Sequence, residues 1–86
     1  GYYFRILKKQ GKHAPGGKRD YVVDGSMTKG FAVVAYPAEY GVSGIMTFLI
    51  NRNGILFQKD LGEKTEKLAA AIDAYDPDYT WMVVKE

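Results

Sequence analysis

The sequence predicts an α+β fold: an antiparallel sheet of four to five short strands with one amphipathic helix packed on a face. Three observations carry this reading. The stretch from Phe31 to Lys59 divides into the runs Phe31 to Tyr36, Ile45 to Ile50 and Ile55 to Lys59, each rich in β-branched or aromatic residues and bounded by Gly, Pro or Asn. Between the last two, Asn51-Arg52-Asn53-Gly54 makes a tight turn, with Asn53-Gly54 suited to the positive φ values of a hairpin. After Lys59 the apolar period changes: Leu68, Ala71, Ile72 and Tyr75 fall at i, i+3, i+4 and i+7, as on one face of a helix.

In chain order, Tyr2 to Lys9 alternates Tyr2, Phe4 and Ile6 with Tyr3, Arg5 and Leu7, which predicts a first strand with Phe4 on its core side. Residues 10 to 19 contain Gly11, Pro15, Gly16 and Gly17 without an apolar period and form the most flexible internal segment expected. Tyr21-Val22-Val23 is a short edge strand, closed by Asp24-Gly25. Phe31 to Tyr36 is nearly all apolar, as in a central strand covered on both faces. Pro37 ends it, and the loop Ala38 to Gly44 leads into the hairpin, whose core face is assigned to Met46, Phe48 and Ile50. The helix runs from about Gly62 to Tyr75, with Leu68 inward. Its start is capped by Asp60 with Glu63 or by Gly62, and Asp76-Pro77 ends it. Thr80 to Lys85 is a last short strand.

A chain of 86 residues is one small domain with one core, burying roughly 60% of the surface its unfolded form exposes. The composition, 47% hydrophobic and 26% charged, is that of an ordinary globular chain, and no apolar run has the length of a membrane span. With no cysteine, disulfide and thiolate chemistry are excluded. The net charge of +2 is unevenly placed: residues 1 to 30 carry seven Lys/Arg against two Asp, and residues 60 to 86 carry three Lys against seven Asp/Glu. Two readings fit: the ends neutralise each other within one chain, or copies meet head to tail. In the second, Arg5, Lys8, Lys9, Lys18 and Arg19 face Glu63, Glu66, Asp73, Asp76 and Asp78 of the next copy.

Gly1-Tyr2-x-Phe4, His13-Ala14-Pro15-Gly16-Gly17, Tyr21-Val22-Val23, Gly30-Phe31-Ala32, the run Tyr36 to Gly44, Met46-Thr47-Phe48 and Lys59-Asp60-Leu61-Gly62 together resemble the C-terminal part of a bacterial family. That family is catalogued only as a domain of unknown function, number 2950. Its members are longer proteins with export signals, so the resemblance implies an extracytoplasmic location and a processed or excised C-terminal piece; it brings no activity. A looser likeness is to the globular heads of type IV pilins and pseudopilins. Gly1, Tyr2 and Phe4, then Phe31, Ala35 and Pro37, then Gly41, Gly44 and Phe48, then Gly54 and Ile55 follow the order of residues in many such heads. The long apolar pilin helix is absent, and Met46 stands where many heads have arginine. If the fold is shared, a sheet face lacks its usual cover, to be supplied by the helix after Lys59 or by a separate subunit.

Little in the sequence suggests catalysis. A Ser-His-Asp set needs His13 as base with Ser26 or Ser43, yet His13 lies in a Gly/Pro-rich loop with nothing to orient it and neither serine has a nucleophile-elbow context. Metal binding has one histidine and carboxylates to draw on, and Asp73, Asp76 and Asp78 do not match a Ca²⁺ loop, so no cofactor or metal is expected. The glycines are not followed by a phosphate-loop pattern. A nucleic-acid platform would use Arg5, Lys8, Lys9, Lys12, Lys18 and Arg19 beside Tyr2, Tyr3 and Phe4; a solvated basic edge is preferred, with Phe4 taken as core. Of the seven tyrosines, Tyr40 is singled out as exposed. The function expected is a non-catalytic extracytoplasmic protein-interaction or assembly module, such as a subunit of a surface filament. Its partners would be other protein chains, either copies of itself or a preceding part of the polypeptide. The alternative is a small-ligand or carbohydrate-binding domain of a secreted protein.

Overall fold

The computed structural model describes residues 1–84 and has the α+β architecture the sequence predicts. Its strands are β1 (Tyr2–Leu7), β2 (Lys9–Gln10), β3 (Arg19–Asp20), β4 (Ala32–Pro37), β5 (Met46–Asn51), β6 (Leu56–Asp60) and β7 (Met82–Val83). A 3₁₀ turn at Gly62–Lys64 runs into the single α-helix, α1 (Thr65–Ala70). The main sheet has the order β1-β4-β5-β6-β7, and β2 and β3 form a separate ribbon. Among the described residues every strand-to-strand pairing is antiparallel, with Phe4 opposite Ala35, Ala35 opposite Phe48 and Phe48 opposite Gln58, while isolated parallel bridges join Gln10 to Tyr75 and Tyr40 to Gly44.

The hairpin between β5 and β6 forms where the sequence places it, by a slightly different device. Gly54 takes φ 79° and Asn53 does not enter the positive region. The turn closes through Gly54 N–H to the Asn51 carbonyl at 3.0 Å. The Asn51 side chain also accepts from the N–H groups of Asn53 and Ile55, at 3.0 and 3.1 Å. A three-residue loop with glycine in the left-handed position is a standard hairpin closure.

The core lies on one face of the sheet. Leu7, Ala32, Val34 and Leu49 are buried there with Ala14, Tyr21 and Tyr75, and Tyr36, Phe57, Ile72 and Trp81 pack around them. Helix α1 crosses β4 on this side and turns Thr65 and Ala69, one helical turn apart, inward. Two strand-face assignments are therefore reversed. On β1 the inward residue is Leu7, while Phe4 and Ile6 are 73% and 61% exposed. On β5 the buried residues are Thr47 and Leu49, not Met46, Phe48 and Ile50. Strand β4 is interior in the sheet order, yet only its Ala32–Val34 side lies against the core. It reads as uniformly apolar because both faces of this sheet are apolar, the covered and the uncovered alike.

The helix is shorter than its period suggests. Ile72 and Tyr75 still pack on the core, but from irregular chain beyond the helix. Tyr75 pairs by backbone with the first strand region, its N–H to the Lys9 carbonyl at 2.9 Å and its carbonyl from Gly11 N–H at 3.0 Å. That long-range pairing takes the backbone out of helical geometry well before Asp76-Pro77. Leu68, expected inside, is 45% exposed, and Ala69 occupies the inward position. At the start, Asp60 Oδ1 accepts from Gly62 N–H at 2.9 Å in a local turn, but the cap positions of the 3₁₀ turn and of α1 are Leu61 and Lys64, and neither end has a side-chain capping bond, contrary to the cap expected from Asp60 with Glu63. The expected strand at Tyr21 to Val23 is displaced to Arg19–Asp20; Tyr21 is fully buried and Val23 only bridges Ser26. The last strand shrinks to Met82–Val83, and Lys85 lies outside the described residues.

Residues 10 to 19 are tied down, contrary to the mobile segment expected. Buried Gln10 donates to the carbonyls of Pro15 and Gly17 at 2.9 and 2.6 Å and accepts from the Tyr21 hydroxyl at 2.9 Å. Ala14 is part of the core.

Candidate functional site

The largest feature that folding leaves unused is the other face of the main sheet. The alternation that sends Leu7, Val34 and Leu49 into the core sends their strand neighbours outward. The register lines up Phe4 and Ile6 of β1 with Ala35 and Val33 of β4, these with Phe48 and Ile50 of β5, and these with Gln58 and Leu56 of β6. Met82 of β7 follows beside Gln58 and is 65% exposed. No core-cluster residue comes from this side. Tyr2 lies at one end, its ring 6.0 Å from that of Phe48 and its hydroxyl donating to the Met46 carbonyl at 2.9 Å.

The face is apolar and electrically quiet. Its polar members, Gln58 and Asp60, both belong to β6. The Asp60 carboxylate is engaged at the rim, where Oδ1 accepts from the Tyr40 hydroxyl at 2.7 Å and from Gly62 N–H. Tyr40 is thus a half-buried latch rather than the exposed residue expected, and its hydrogen bond to the Asp60 carboxylate, with that charge beside it, raises its phenol pKa. Phe4 and Ile6 on one side and Met82 on the other are well exposed, while Val33, Phe48, Ile50 and Leu56 between them are half-buried and Ala35 is buried; exposed apolar residues grouped on one face mark contact sites.

The basic and acidic residues have a different disposition. Arg5 donates through its guanidinium to the carbonyls of Ile72 and Ala69, at 2.8 and 2.6 Å, and so satisfies the C-terminal end of α1. Lys9 is 3.6 Å from Asp73. Asp76 accepts from the His13 backbone N–H and pairs with His13 Nδ1, both at 2.9 Å. The basic front and acidic back therefore meet within one chain at these positions. Lys8, Lys18, Glu63 and Glu66 remain exposed, and exposed Arg19 stands over the Tyr21 ring at 6.0 Å and reaches the Gln10 side chain. Asp78 accepts from Thr80, which lowers its pKa.

His13 is thus oriented after all, by a carboxylate remote in sequence. Ser43 Oγ is occupied elsewhere, between the Gly1 amino group and the Glu39 N–H, both at 3.3 Å. Ser26 N–H and carbonyl pair with Val23. Among the described residues no hydroxyl bonds to His13 and no cluster of three metal-ligating side chains occurs. The exposure of Phe4 overturns its assignment to the core, but the net charge stays small at +2, and Phe4 and the Arg5 guanidinium lie on opposite faces of β1, where a base-stacking groove needs them together.

The clefts are modest. One of about 190 Å³ is lined by Leu49, Ile72, Asp76 and Trp81, and one of about 260 Å³ by Lys9, Gln10, Lys18 and Arg19. A third, about 400 Å³, is an open hollow along the charged flank of α1, between Glu63 and Ala70. Periodicity marks this face as a hydrophobic set but assigns it to the core, and the structure turns it to the outside. The His13–Asp76 pair carried no comparable signal, since its members are far apart in sequence.

Compared with known proteins, residues 1–84 match the family described as protein of unknown function (DUF2950), and the chain belongs to that family. No curated protein and no solved structure matches it.

Proposed function

We propose that this chain is a non-catalytic protein-interaction module, acting outside the cytoplasm, whose working surface is the open apolar face of the sheet. The observation that carries the reading is the exposure of Phe4, Ile6 and Met82 on a face with almost no charge, opposite a core that is complete without it. A sheet with an apolar face is stable in water only marginally unless something lies on that face. The same requirement appears in the likeness to pilin heads, where a helix lies on the sheet. Here α1 covers one side, and a subunit of a surface assembly would find the other free.

The test is site-specific photo-crosslinking in the native cell. A benzoyl-phenylalanine in place of Phe4 or Met82 should capture a protein chain at high yield, and the same probe at Glu66, on the exposed flank of α1, should not. Equal capture from all three positions, or none from the sheet, would remove the reading.

A further inference from the structure

We infer that β1 is a docking edge: it takes up an extended segment of a separate protein chain as an added antiparallel strand, with apolar side chains at alternate positions of that segment. The inference rests on the interaction reading above and places the contact at the rim of the open face. It starts from the backbone. Ala38 N–H donates to the Gly1 carbonyl at 2.9 Å, and Tyr2 stands opposite Pro37, which has no N–H to give. Bonded pairs alternate along an antiparallel ladder, so Tyr3, Arg5 and Leu7 turn their N–H and C=O groups to β4. The Arg52 N–H on the Phe31 carbonyl, at 3.1 Å, fixes the same phase from the other side of β4. The backbone groups of Tyr2, Phe4 and Ile6 consequently point away from the sheet. Strand β1 is the end of the sheet order, and among the described residues no hydrogen bond reaches those groups.

Edge strands are ordinarily protected by a proline, a bulge or an outward charge. Strand β1 has none of these. Its register with β4 is unbroken over six residues, and its one charged residue, Arg5, is bound to the carbonyls of Ile72 and Ala69. The tyrosines lean inward, Tyr2 onto Met46 and Phe48 and Tyr3 onto the Tyr36 ring at 5.6 Å. Beyond Leu7 the edge is covered, where the Lys8 carbonyl accepts from Tyr21 N–H at 2.9 Å. Two features select the occupant. Donors and acceptors recurring every two residues, about 6.8 Å apart, match an extended backbone. Phe4 and Ile6, whose backbone groups are free, are 73% and 61% exposed, whereas Val33, Phe48 and Ile50 further in are half-buried. The exposed apolar surface here lies along the edge, and residues of an added strand opposite Phe4 and Ile6 stand on the same face as they do.

A seven-residue peptide of alternating threonine and valine is the probe, with fluorescence anisotropy for affinity and amide exchange for location. Bound peptide should slow exchange of the Phe4 and Ile6 amides. Its valines pair with Phe4 and Ile6, so N-methylation of the valines should weaken binding about tenfold or more, and N-methylation of the threonines should change it less than about threefold. Phe4→Pro removes an N–H that the fold does not use, so the variant should keep the parent circular dichroism and bind about tenfold more weakly or worse. Phe4→Val keeps that N–H and should stay within about threefold of the parent. The two methylated peptides decide the matter even where Phe4→Pro unfolds. Equal binding of both would overturn strand addition and leave the open face itself as the contact. No binding of the unmethylated peptide at millimolar concentration would overturn it too, while crosslinking at Met82 still decides the interaction reading. Self-association of the parent that Phe4→Pro abolishes would overturn the separate donor in favour of β1 of a second copy.

Discussion

Gly11 is a position where one methyl group matters. A Cβ built there would stand 2.6 Å from each carboxylate oxygen of Asp76, the group that holds His13. Gly11→Ala must therefore expel that carboxylate, and the expected destabilisation is about 1–3 kcal/mol. Asp76→Ala alone should cost about 1 kcal/mol through the lost hydrogen bonds. The double variant should cost clearly less than the sum, since the clash disappears with the carboxylate. Urea denaturation of the set measures the coupling, and strict additivity would show that the two residues do not meet. Tyr75 supplies a second prediction. Burial, with Tyr21 nearby, pushes its phenol from 10.0 up to about 12. The folded value lies above the unfolded one, so this contribution is fully present below pH about 10 and is lost as pH rises through about 12. The urea midpoint should fall across that interval, with phenolate absorbance appearing together with unfolding. Tyr75→Phe should flatten the fall, and an unchanged slope would assign it to other groups.

At the scale of elements, the apolar period assigned to the helix misleads at Leu68 and Ala71, both exposed, and finds core residues at Ile72 and Tyr75, which lie beyond the end of α1. Leu68→Ala should change stability by no more than about 0.5 kcal/mol, since the side chain is 45% exposed. Ala69→Leu should cost about 1–3 kcal/mol, because Ala69 is fully buried where α1 crosses β4. Thermal melts of the two variants check this, and the reverse order would mean that the helix is rotated by about one residue. The existence and order of β4, β5 and β6, each boundary within one residue, and the turn glycine Gly54 were legible in the sequence, though not that Asn53 stays out of the positive-φ region. Which face of β1 and β5 turns inward was not. Alternation reports that a face carries apolar residues, and here both faces do: Leu7 and Leu49 on one, Phe4, Phe48 and Ile50 on the other. The bulkier set suggested the core, whereas the smaller set leaves room for a helix to approach. The candidate surface was thus visible as a pattern, and its exposure depended on where α1 lands.

In the whole molecule, the first and last thirds are joined by contacts that composition had registered only as opposite charge. Lys9 with Asp73 is an ion pair with both side chains well exposed, and such pairs contribute little. Arg5 is different in kind. Its guanidinium spans the carbonyls of Ala69 and Ile72, at 2.6 and 2.8 Å, and ties β1 to the end of α1 and the turn beyond it, adding a charged donor at Ala69, whose carbonyl also accepts from Ile72 N–H at 3.1 Å. A charged donor on two part-buried acceptors is worth more than attraction across solvent. Arg5→Ala should therefore cost about 1.5–3 kcal/mol, and Lys9→Ala less than about 0.5 kcal/mol. Arg5→Lys should fall between, because one ammonium cannot reproduce the planar fork. Raising salt should move the urea midpoint of the parent little, since the fold is held here by carbonyl hydrogen bonds and not by screened charge. If Lys9→Ala cost as much as Arg5→Ala, or if salt lowered the midpoint steeply, long-range neutralisation would be what closes the chain, and the charge asymmetry of the sequence would be a folding device in its own right.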